Sequence, residues 1–113
     1  MNQLNQLILE GNVCREFKAA RTGNGVYGEM PIAVNRFYRG ANGEEVNEVS
    51  FFDIEVRGSL AELCEKYGKK GTLVRIVGRL KQERWKDSDG KSCSKVKILA
   101  EHIDFLKSKE AEA

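Results

Sequence analysis

The stretch that most narrows the fold of this chain is TLVRIVGRLKQERW, residues 72–85. Its apolar residues recur every second position, as in a strand with one buried face. Val74, Ile76, Gly78 and Leu80 share one side, while Arg75, Val77, Arg79, Lys81, Glu83 and Trp85 share the other. One face belongs to a core. The other is cationic and ends in the only tryptophan of the chain, beside the turn signal Asp-Ser-Asp-Gly.

The same period recurs elsewhere. Residues 4–14, LNQLILEGNVC, read as a strand with Leu7, Leu9 and Val13 on one face, and Ile8 on the opposite face. RTGNG at 21–25 is turn chemistry. Met30, Ile32 and Val34 alternate next, and Pro31 calls for an edge or a bulge there. RGANGE at 39–44 is a second loop, and in VSFFDIEVR at 49–57 Phe52, Ile54 and Val56 point one way while Phe51, Asp53, Glu55 and Arg57 point the other. The one helix lies near 59–67. Ser59 and Glu62 have the spacing of a capping box, Leu60, Leu63 and Cys64 form the apolar face, and Gly68 stops it. After 72–84 and a polar tip at 86–92, a last strand at 94–106 carries Val96, Ile98 and Ala100 on one side. Three strands, a short helix and two strands in so few residues close most readily as a small all-β barrel.

The chain has 113 residues, enough for one domain, expected at 1–106, with a short tail at 107–113. At 41% hydrophobic and 32% charged residues it is neither a disordered nor a membrane composition. No apolar run is long enough to span a membrane, and the first six residues are too polar for a signal peptide. Three widely spaced cysteines, Cys14, Cys64 and Cys93, make a disulfide framework or a metal site a poor fit and a reducing cytoplasm the simplest setting. The single His102 has no nucleophile or metal cluster patterned around it, so neither an enzyme nor a cofactor is expected.

Net charge is only +2, yet residues 66–97 carry a local balance of +8 and the remainder −6. A basic segment on a nearly neutral chain suits a polyanion, although a charge run can also be a solvated face. Aromatics decide between these readings. Trp85 continues the cationic face, where it can stack a base while neighbouring cations hold phosphates, or else cover the barrel mouth or a subunit interface. Phe51 lies opposite core-directed Phe52, on the side of Arg57. Tyr38, or Phe37 beside it, stands between Arg36 and Arg39, and for it as for Phe51 packing in the core or at an interface is the alternative. Arg75, Arg79, Lys81, Arg84, Lys86, Lys91 and Lys95 complete the set of phosphate partners, with Asp87 and Asp89 opposing contact at the hairpin tip.

In order and spacing, NQLILEGNV, GSLAELCEKYGKKGTLVRIVGRL and RWKDSDGK resemble the DNA-binding domain of the bacterial single-stranded-DNA-binding protein family, from about Leu4 to Leu106. The resemblance implies a five-stranded oligonucleotide/oligosaccharide-binding (OB) barrel, assembled as a homotetramer, that binds single-stranded DNA without sequence preference during replication, recombination and repair. It places the family's stacking aromatics on Tyr38, Phe51 and Trp85. A further position, often aromatic in the family, falls on Arg57, and Gln6 stands where relatives often carry lysine. It also implies a cytoplasmic location, at the nucleoid. Family members usually continue through a linker to an acidic, aromatic-ended tip that recruits replication and repair proteins; FLKSKEAEA has two late glutamates and no terminal aromatic. The alternative function is a related barrel serving as a primosome or replication-restart module with weaker nucleic-acid binding.

Overall fold

The computed structural model describes residues 1–107; of the expected tail, 108–113 lie outside the described residues. The strands are β1 (Leu7–Val13), β2 (Ala20–Thr22), β3 (Gly25–Arg39), β4 (Glu45–Arg57), β5 (Leu73–Lys86) and β6 (Ser92–Lys107). The helix α1 (Ser59–Tyr67) falls between β4 and β5, over the residues expected. One strand is additional. RTGNG folds β2 back on the start of β3 as a three-residue hairpin arm, Ala20 facing Tyr27 and Thr22 facing Gly25.

The other five strands close. They run β1-β5-β6-β4-β3, and β3 meets β1 again through Asn12–Ala33 and Val13–Ile32. All pairings are antiparallel except β4–β6, where Ile54 faces Ile98 and Glu55 faces Leu99. Pro31 sits where the contact of β3 with β1 ends: its carbonyl accepts from the Cys14 N–H at 2.9 Å, and no β1 residue is paired with it, so its missing N–H breaks no ladder bond there. Inside, Met30, Ile32, Ile54, Val56, Val74 and Ile76 are fully buried, the inward alternates of three strands. Each stabilises the fold by about 1.5–3 kcal/mol relative to an exposed position.

Two inward sets break off early. Leu80 on β5 and Val96 on β6 have the parity of the core yet are exposed, because the β5–β6 hairpin has left the barrel by then. Past Ala100, β6 also changes phase. Gly78 faces Ala100 while Val77 faces His102, leaving Glu101 as the extra residue of a bulge. Ala100 and Ile103, three apart, therefore both reach the core. Gly78 lies against the Leu99 carbonyl at this point, where a Cβ would collide with backbone.

The helix end differs from its capping-box reading. Gly58, at φ 65°, is the N-cap, and Ser59 is already helical with no side-chain cap bond. The chain leaves β4 too abruptly for a residue with a Cβ, so glycine takes the cap and its carbonyl accepts from the Glu62 N–H at 3.1 Å. Ala61 and Cys64 form the buried stripe, Leu60 is half-buried and Leu63 is exposed. Gly68 ends the helix as expected, its N–H donating to the Cys64 carbonyl at 2.7 Å.

Candidate nucleic-acid interface

Two long hairpins, β3–β4 and β5–β6, grow out of the barrel, and register decides what they share. Ala33 faces Phe51, so Ala33, Asn35 and Phe37 lie on the outer face together with Phe51. Tyr38 faces Val46 and Arg36 faces Glu48, on the alternate face, where the Arg36 guanidinium stacks 5.6 Å from the Tyr38 ring centre. Of the two neighbours that the sequence left open, Phe37 is the one level with Phe51, and Tyr38 is turned away. Phe37 is 76% exposed and Phe51 70%.

The same outer face continues across the sheet. Through Glu55–Leu99 it joins β6, and through Arg79–Leu99, Lys81–Lys97, Glu83–Lys95 and Trp85–Cys93 it joins β5. Trp85, 48% exposed, thus ends a surface that carries Arg79, Lys81, Lys95 and Lys97. A groove of about 200 Å³ brings Phe51 together with Lys95 and Lys97 between β4 and β6. A second hollow of about 470 Å³ borders Trp85, with Arg84, Lys86 and Ser94 among its walls.

The expected phosphate partners divide by their commitments. Arg75 is held by Glu10 of β1, with Nε and Nη2 at 2.7 and 2.6 Å from one carboxylate oxygen. Arg57 contacts Glu55 at 3.2 Å, and Arg79 lies 3.9 Å from Glu101. Among the described residues, Lys81, Lys86, Lys91, Lys95 and Arg39 form no ion pair, and Arg84 donates only to Gln82, at 3.1 Å. Lys97 was not singled out from the sequence. It lies 3.3 Å from Glu83, whose hydrogen bond holds the ammonium above the ordinary lysine range. Asp87 is occupied within the tip, its Oδ1 accepting the Asp89 and Lys91 N–H groups at 2.9 Å each. Tyr27 also escaped the sequence reading. It is exposed directly across from Arg57, a pairing that only the β3–β4 register reveals.

His102 Nε2 meets Asp104 Oδ1 at 3.0 Å on the barrel surface. No group of three His, Cys, Asp or Glu side chains among the described residues could hold a metal. No helix there is long and apolar enough to cross a membrane.

Barrel order 1-5-6-4-3 with one parallel contact and a helix between β4 and β5 define an OB-type barrel, and its outer face sets exposed aromatics among cations. The model of the single-strand binding protein family matches residues 4–106, and the chain belongs to that family. It is 36% identical over 108 residues to the single-stranded DNA-binding protein of Wolinella succinogenes, covering 95% of this chain and 67% of that one. To the protein of the same name from Aquifex aeolicus it is 42% identical over 78 residues, 69% of this chain and 52% of the other. The chain thus spans about half to two-thirds of the length of these relatives. In fold it superposes on Plasmodium falciparum SSB in complex with ssDNA with a TM-score of 0.80, at 24% identity, covering 95% and 98% of the two chains.

Proposed function

We propose that this chain binds single-stranded DNA without sequence preference, bases stacking on Trp85, Phe51 and Phe37 and phosphates meeting Lys81, Lys95, Arg79, Lys91 and Arg39. The observation that carries this reading is the single outer face on which those three aromatics alternate with uncommitted lysines. Stacking is indifferent to base identity, since every base has a π-face, and contributes about 1–3 kcal/mol per base. Arg84 and Lys86 flank the strand from the hollow beside Trp85. Arg57 takes part at the far end, whereas Arg75, spent on Glu10, takes none, and Tyr38 and Arg36 serve each other. Family membership and the names of the relatives support the same substrate; service in replication, recombination and repair is part of the proposal.

A homotetramer fits the barrel. β1 pairs with β5 from Leu7 to Asn12, but its other edge meets β3 only at Asn12 and Val13. The Leu7–Glu10 edge is left open, with Ile8 66% exposed beside it, a template for the same strand of a second copy. Light scattering at micromolar concentration tests this, a monomer being the refuting result.

Titration with oligo-dT tests the binding reading. The lone tryptophan should be quenched on saturation, and Trp85→Ala should weaken binding by about 1–3 kcal/mol on every homopolymer alike. Unchanged affinity in that variant at low and high salt would make Trp85 structural. Weak binding even by the unaltered protein would favour the replication-restart module.

A further inference from the structure

At the end of the outer face away from the hairpin tips, Tyr27 occupies the middle of three paired strands. Ala20 of β2 is on one side of it and Arg57 of β4 on the other. Its half-exposed ring is the shared wall of two hollows. One, of about 550 Å³, carries Arg15, Lys18 and Lys97 beside Glu16; the other, of about 370 Å³, carries Asn24 and Arg57, whose guanidinium meets Glu55 at 3.2 Å. The floor is acidic, for Glu55 borders both hollows and Glu29, directly across from it, borders the larger.

Charge therefore sorts what can lie where. Phosphates are repelled from the Glu29–Glu55 floor and drawn to the cations on either rim, which leaves a flat uncharged group over the ring. Glu55 borders both hollows, and its Oε2 is buried with no hydrogen-bond partner, an unmet acceptor that a ligand N–H would relieve. The mount is firm. β2 is tied to α1 by the two-pronged Arg21–Glu65 pair, at 2.6 and 3.0 Å, and the Gly58 N–H donates to the Val26 carbonyl at 2.8 Å.

We infer that Tyr27 is a further base-stacking residue, with Arg57 on one rim and Arg15 and Lys18 on the other holding the flanking phosphates of a nucleotide seated between them. The inference rests on the reading of the chain as a single-stranded-DNA binder and lengthens the path of the strand. Ten residues of β3 separate Tyr27 from Phe37, roughly 33 Å at about 3.3 Å per residue. Only the longer oligonucleotides reach both.

A length series of oligo-dT, read by affinity and by Trp85 quenching, is the test. For the unaltered protein affinity should step up once the oligonucleotide is long enough to reach Tyr27. Tyr27→Ala should remove that step, a loss of about 5- to 150-fold, with short oligonucleotides and Trp85 quenching unaffected. Tyr27→Leu, which keeps a large strand-compatible side chain without a ring, should lose it as well, and Tyr27→Phe should retain it. Retention of the full step in both Tyr27→Ala and Tyr27→Leu overturns the Tyr27 subsite and leaves the Trp85 face standing. Absence of binding and quenching at every length in the unaltered protein overturns both.

Discussion

Trp85 and Cys93 face each other directly across the β5–β6 ladder, which sets a thiol on the outer face beside the tryptophan. Cys93 is half-buried, its Sγ 3.7 Å from the Lys91 carbonyl and 3.9 Å from Asp87 Oδ2. A bulky maleimide there would stand where a base must lie on the indole. Labelling should lower oligo-dT affinity at least tenfold, about 1.4 kcal/mol, and bound oligonucleotide should slow the labelling. Equal labelling rates with and without saturating DNA would place the strand elsewhere.

Cys64 should behave in the opposite way. Burial pushes its thiol up from 9.0 to about 12. The folded protein then keeps a proton that the unfolded chain releases, so the stability this supplies is complete below pH 9 and is lost between pH 9 and 12. The decline is at most about 1.4 kcal/mol per pH unit. Denaturant midpoints at pH 7 and 10 should differ more for the unaltered protein than for Cys64→Ala. The thiol itself should resist alkylation at pH 7.

Phe37→Ala and Tyr38→Ala separate two adjacent aromatics by face alone. The first should cost about 1–3 kcal/mol of oligo-dT affinity, and the second less than about 0.5 kcal/mol. The reverse order would mean that the β3–β4 hairpin turns over when DNA binds.

Salt dependence separates free from committed cations. Because phosphate contacts act through counterion release, Lys81→Ala and Lys95→Ala should each flatten the log–log slope of affinity against salt by about 0.7. Arg75→Ala should leave that slope nearly unchanged, its guanidinium being engaged with Glu10. Titrations at three salt concentrations suffice.

The inward alternates of β3, β4 and β5 and the extent of α1 were legible because a two-residue or helical period, once begun, dictates every later side. The legibility failed wherever the period stopped carrying information. Nothing in HIDF announces the extra residue that brings Ile103 inward, and nothing in the spacing of Val96 or Leu80 says where a hairpin quits its barrel. Phe37 and Tyr38 are both flanked by arginine, so composition cannot rank them; the cross-strand partner does. Gly58 took the cap from Ser59 for the sake of a backbone angle that no side-chain pattern records. Tyr27 owes its neighbourhood to residues 57 and 20, a relation that exists only in register.

The bulge at Glu101 makes this residue spare in the β5–β6 ladder, whatever its identity. Its side chain is exposed and meets Arg79 only at 3.9 Å, so serine or lysine there should change stability by no more than about 0.5 kcal/mol. Removing the residue altogether would restore strict alternation to β6. Ile103 would then stand two residues from Ala100, and Ile103 and Phe105 would keep their places in the core opposite Ile76 and Val74. A chain of this kind can respell position 101 freely over its history, and it can drop that one letter without turning its core.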